Sequence, residues 1–102
     1  MLIRLVRLPV YPFHVDEFLR LFNSSKQEIR NFSGCNHLEL WNYTKEKNIL
    51  YTYSLWDSEK ALENYLQSEL FKTTWQQVKP LFNDKPEAWS FIKVLSVEGV
   101  NK

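Results

Sequence analysis

Three kinds of apolar spacing succeed one another along the chain. "LIRLVRLP", Leu2 to Pro9, is a short apolar run broken by Arg4 and Arg7 and stopped by Tyr11-Pro12, and it reads as a strand. From Phe13 to Arg30 the period changes. Val15, Phe18, Leu19, Phe22 and Ile29 recur near a helical repeat, with Asp16 and Glu17 at the start and Lys26 and Arg30 at the end, the charge order that suits a helix dipole. After the turn at Gly34, Cys35 to Tyr43 alternates, Leu38 and Leu40 on one face and His37, Glu39 and Trp41 on the other.

The polar turn "TKEKN" leads into Ile49 to Trp56, rich in β-formers, and so short a connection predicts a hairpin with the preceding strand. Asp57 or Ser58 then caps a helix whose inner side carries Leu62, Tyr65 and Leu66. Ser68 and Glu69 look like a second cap that restarts the helix at a new angle. Phe71, Trp75, Val78 and Phe82, spaced 4, 3 and 4, form one inward stripe of a helix ending near Phe82. "AWSFIKVL", Ala88 to Leu95, reads as the last strand, leaving residues 96–102 as a loose tail behind a single domain over residues 1–95. Strand, helix, strand, strand, helix, strand is the ferredoxin-like βαββαβ order of an α+β protein, a four-stranded antiparallel sheet with helices on one face.

Helices on one face leave the other open, and here the strands are apolar on both. Ile3 and Leu5 oppose Leu2, Val6 and Leu8, while Trp89 and Phe91 oppose Ala88, Ile92 and Val94. An open apolar face of roughly a few hundred Å² is more than a soluble monomer usually shows. A second sheet should cover it, which predicts a homodimer.

Composition narrows the function. In 102 residues there are four tryptophans, five tyrosines and seven phenylalanines, an aromatic load that fills a core or lines a pocket. Thirteen basic residues are scattered among twelve acidic ones, for a net charge of +1, so there is no electrostatic footprint for nucleic acid or a membrane surface. "MLIRLVRLPV" is too short and too charged for a signal core or a membrane span, and a cytoplasmic protein is expected. Cys35 is the lone cysteine, and with His14 and His37 far apart no metal-ligand spacing exists.

"FSGCNHLEL", "YSLWDSEKALENYLQSELFKTTW" and "AWSFIKV" together resemble the antibiotic biosynthesis monooxygenase (ABM) domains, over about residues 1 to 95. The resemblance implies a dimeric α+β barrel with a pocket in each protomer, between helices and sheet, for a small hydrophobic or aromatic molecule such as a polycyclic polyketide, a quinol or haem. It does not imply one reaction. Where the haem-degrading branch has an asparagine, a tryptophan and an iron-ligating histidine, matching residue by residue puts Val6, Tyr65 and Trp75. Valine offers iron-bound oxygen no hydrogen bond and an indole N–H cannot ligate iron, which disfavours haem degradation. The branch that oxidises aromatic polyketides without metal or flavin uses an asparagine and tryptophans, and only the tryptophans are present.

A cofactor-independent monooxygenase acting on an aromatic or quinol-type molecule is therefore the leading expectation, with a non-catalytic dimeric binder as the alternative. Tyr65, Trp75, Trp56 and Val6 are the expected substrate-binding residues, Trp56 reading also as a core plug. No cofactor or metal is expected. For catalysis the one candidate is His37, as a general base, although such a strand histidine more often sits on a surface or at an interface. His14 opens a helix and reads as solvent-facing, and Cys35 as a small buried hydrophobe. Arg4 and Arg7 point to opposite faces; one could hold an anionic ligand, but pairing at the interface is the expected role, and the sequence does not say which of Arg4, Arg7 and His37 serve the pocket rather than the interface.

Overall fold

The computed structural model describes residues 1–100. β1 (Leu2–Pro9) pairs antiparallel with β3 (Ile49–Trp56) on one side and with β4 (Glu87–Ile92) on the other, and β2 (Cys35–Asn42) completes the sheet beyond β3. The strand order is β2-β3-β1-β4, which is the ferredoxin-like α+β topology. Alternation does the rest. Leu2, Arg4, Val6 and Leu8 of β1 lie under the helices with Leu50, Thr52, Ser54 and Trp56 of β3, whereas Ile3, Leu5 and Arg7 lie on the open face with Tyr51, Tyr53 and Leu55.

α1 (Val15–Arg30) follows a one-turn 3₁₀ segment, Pro12–His14, so the α-helix starts two residues later than the period predicts. Asp16 and Glu17 occupy its first turn and Arg30 its last, where the guanidinium donates to the Cys35 carbonyl (3.0 Å) and ties the helix end to β2. Gly34 makes the turn between them at φ +89, and a Cβ there would meet that of Ala61 at 2.6 Å. At the start of β2 the register slips between Cys35 and His37, a bulge that sends Cys35 into the core and leaves His37 on the open face.

Ser58 caps α2 (Glu59–Leu66), accepting the Ala61 N–H, and Ser68 caps α3 (Glu69–Val78), accepting the Phe71 N–H, each at 3.1 Å. The chain turns between the two helices because Ser68 also donates its hydroxyl to the Tyr65 carbonyl at 2.6 Å, closing the end of α2. α3 stops at Val78 rather than near Phe82. Pro80 has no N–H for the carbonyl four residues back, so the chain tightens into a 3₁₀ turn, Lys79–Leu81. β4 likewise covers Glu87–Ile92, not Ala88 to Leu95, since its sole neighbour β1 runs out where Leu2 meets Ile92.

The core has two centres. Leu2, Ile29, Cys35, Trp56, Leu62 and Tyr65 form one, and Leu8, Val10, Phe18, Leu50, Val78 and Leu81 form the other. The opposite face of the sheet is uncovered, with Trp41, Trp89 and Phe91 exposed and the Trp41 ring stacked on Tyr53 at 4.8 Å between centroids. Among the described residues no helix is long and apolar enough to cross a membrane.

Candidate functional site

Between the two core centres, helices and sheet part to leave a cavity of about 410 Å³, within the usual range for small-molecule sites. Its floor is the middle of the sheet: Arg4 and Val6 of β1, Thr52 and Ser54 of β3. α3 roofs it with Phe71, Thr74, Trp75 and Val78, α2 contributes Tyr65, and Lys85, Pro86, Glu87 and Ala88 lie where β4 begins.

Tyr65, Trp75, Trp56 and Val6, the four residues the sequence singles out, are all brought to this one cavity. Their environments differ. Trp56 is only 1 % exposed, its indole N–H given to Ser54 Oγ at 2.9 Å and its ring stacked on Tyr65 at 4.9 Å, so it is core and cavity wall at once. Burial pushes the Tyr65 phenol well above its ordinary pKa, which keeps it neutral. From Tyr65 an aromatic ribbon runs along the roof through Phe71 (5.3 Å) and Trp75 (5.6 Å further) to Phe82 (5.4 Å). Phe71 and Val78, which the stripe alone reads as core, also line the cavity because α3 stands off the sheet there.

His37 is elsewhere. It lies on the open face, its ring bonded to the Glu39 carboxylate, which also accepts the Trp41 indole N–H at 2.7 Å. These bonds hold the Glu39 carboxyl below its ordinary range. His14 packs against Phe13 at 4.6 Å and does not line the cavity. Cys35 is buried, and burial raises its thiol pKa, the reverse of what an activated nucleophile needs. Among the described residues no three His, Cys, Asp or Glu side chains converge as a metal site.

The two arginines separate as alternation requires. Arg7 reaches Glu87 on the open face at 3.9 Å, while Arg4 enters the cavity. Sharing a face with Val6 was the available signal for Arg4. Phe18, Phe22 and Leu38 also reach the cavity, and nothing in their spacing separates them from core.

An antiparallel β2-β3-β1-β4 sheet, helices on one face and an aromatic cavity between the layers define a ferredoxin-like α+β domain with an internal pocket. The antibiotic biosynthesis monooxygenase family model matches residues 1–77, and the chain belongs to that family. No curated protein matches. Among solved structures, a conserved protein from Methanosarcina mazei is 24% identical with TM-score 0.84, over 91% of this chain and 93% of its own. A structure of an antibiotic biosynthesis monooxygenase is 17% identical with TM-score 0.87, over 93% and 100%, and a Mycobacterium tuberculosis protein is 15% identical with TM-score 0.84, over 95% and 98%. At these identities the likeness establishes the fold.

Proposed function

We propose that the protein is a cofactor-independent monooxygenase for a small aromatic or quinol-type molecule, and that it works as a homodimer joined through the open sheet face. The observation that carries the reading is the cavity itself, roofed by Trp75, Phe71 and Tyr65 and shielded by apolar walls. Flat rings stack on such a roof. No His, Asp or Cys side chain lines the cavity among the described residues, and Glu87, at its edge, has its carboxylate turned to Arg7. The site therefore suits a substrate acidic enough to ionise by itself.

For an activated ring methylene the balance is CH₂ + O₂ → C=O + H₂O. The substrate loses a proton, its carbanion passes electrons to oxygen, a C–O bond forms, and the O–O bond breaks with loss of water. The four electrons come from the substrate carbon, so no external reductant is needed. The protein's share is to hold the ring, keep water off the reacting carbon and favour the ionised form.

Haem degradation fits poorly. Val6, Tyr65 and Trp75 include no imidazole, and the one side chain able to ligate iron, Tyr65, is held as the neutral phenol by its burial. The second reading, a non-catalytic binder, is favoured by Val6, which supplies no amide on the cavity floor. Oxygen uptake with an anthrone or a quinol separates the two. One O₂ consumed per substrate, unaffected by catalase, is the expected result; binding without uptake above the buffer rate would leave the binder.

A further inference from the structure

We infer that the cavity is selective for planar aromatic anions and that Arg4 holds the anionic group; the inference deepens the proposed function and rests on its pocket. Arg4 stands at mid-strand in β1, which has a neighbour on each side, and the register places Ser54 and Ser90 directly beside it. A polar row, Ser54-Arg4-Ser90, thus crosses the helix-facing side of the sheet, with Ser54 and Arg4 on the cavity floor beside Thr52 and Val6 and with Ser90 outside the cavity.

The guanidinium is half-buried and, among the described residues, holds no carboxylate. Among the described residues its side chain makes one hydrogen bond, a long one of 3.4 Å to Ser90 Oγ, and the ion pairs present involve Arg7, Arg20 and His37 instead. Removing part of a cation's hydration without a counter-charge is costly, and the cost shows as a pKa lowered by burial.

Arginine remains charged in this setting, and its donors form a planar fork matched to a carboxylate or an ionised enol. Ser54 Oγ accepts the Trp56 indole N–H, leaving its own O–H free to donate on the same floor. Lys85 adds a second cation at the cavity's edge, whereas the Glu87 carboxylate is drawn to Arg7 on the other face. With the anion on Arg4, a flat ring extends beneath Trp75 and Phe71. For an ionised enol this contact also stabilises the form that reacts with oxygen.

Isothermal titration calorimetry at neutral pH tests it with two pairs of probes: naphthalene carboxylate against naphthalene carboxamide, and an ionised hydroxynaphthoquinone against its neutral methoxy counterpart. The wild-type protein should favour the anion in at least one pair by about tenfold or more, the factor that 1.4 kcal/mol represents. The pair showing the larger preference tells a carboxylate from an enolate. Arg4→Met should erase the preference while neutral probes still bind, and Lys85→Met should keep most of it. If Arg4→Met does not fold, Arg4→Lys, which keeps the charge but loses the fork, should reduce the preference. Equal affinity within both pairs, or a preference that survives Arg4→Met, overturns the inference and leaves the pocket standing. Binding of no probe would overturn the pocket reading as well.

Discussion

Trp56 and Trp75 bear the same side chain on one cavity and do different things. Trp56 is sealed against Tyr65 with its indole N–H on Ser54, so Ser54→Ala should strand a buried donor and cost about 1–3 kcal/mol in urea unfolding. Trp75 is only partly buried, between Phe71 and Phe82. Trp75→Phe should weaken naphthalene carboxamide binding while costing less than about 1.5 kcal/mol, the usual limit for a conservative apolar swap. Unchanged binding with a large loss of stability would make it packing alone. Tyr65 gives a pH signature. Its folded pKa is raised above the unfolded value, so its contribution to stability is complete below about pH 10 and declines as pH rises, because only the unfolded chain then ionises readily. Alkaline unfolding should be blunted in Tyr65→Phe, as followed by circular dichroism across that range.

At the scale of elements, the cavity depends on α2 and α3 being two helices. A single helix from Glu59 to Val78 would keep one direction and could not both cover Trp56 and roof the floor at Val6. The break is made by Ser68, which accepts from Phe71 N–H and donates to the Tyr65 carbonyl. Ser68→Ala should cost about 1 kcal/mol, typical of a lost N-cap, and should loosen aromatic binding, since Tyr65 and Phe71 flank the break. Gly34 has a comparable part at the other end. At φ +89, and with Ala61 where a side chain would go, Gly34→Ala should destabilise by more than about 1 kcal/mol, measured by thermal unfolding.

For the whole molecule the open sheet face decides the most. Ile3, Leu5, Tyr53, Leu55, Trp89 and Phe91 lie next to one another there by register, in a continuous apolar field with His37, Glu39 and Trp41 along one side. Such a field is the surface through which the proposed homodimer would join. Sedimentation equilibrium at micromolar concentration should give twice the 12.3 kDa of one chain, and Leu5→Asp, which puts an unpaired charge at its centre, should abolish the dimer. A wild-type protein sedimenting as a 12.3 kDa species would refute the arrangement.

Local periodicity determined the element order by itself. Alternation against a 3.6-residue repeat is written into each segment, and the bounds of β1 and β3 and the cap at Ser68 coincide with it because they depend on neighbours in sequence, while the α2 cap, left between Asp57 and Ser58, falls on Ser58. The same alternation assigned Ile3 and Leu5 to one face and Val6 to the other, and grouped Tyr65 and Trp75 on inward helix faces. Other features were decided at a distance. β4 ends at Ile92 because β1 begins at Leu2, a limit that no residue of β4 encodes. Cys35 turns inward through a bulge that exists only against β3. Phe71 and Val78 pack in the core and also border the cavity, because α3 stands away from the floor, and no spacing rule tells a side chain packed all round from one with an edge on a void. Arg4 shows the division most clearly. Its sequence neighbours set its face, but only the packing of three helices above that face made it a cation on the floor of a mainly apolar cavity.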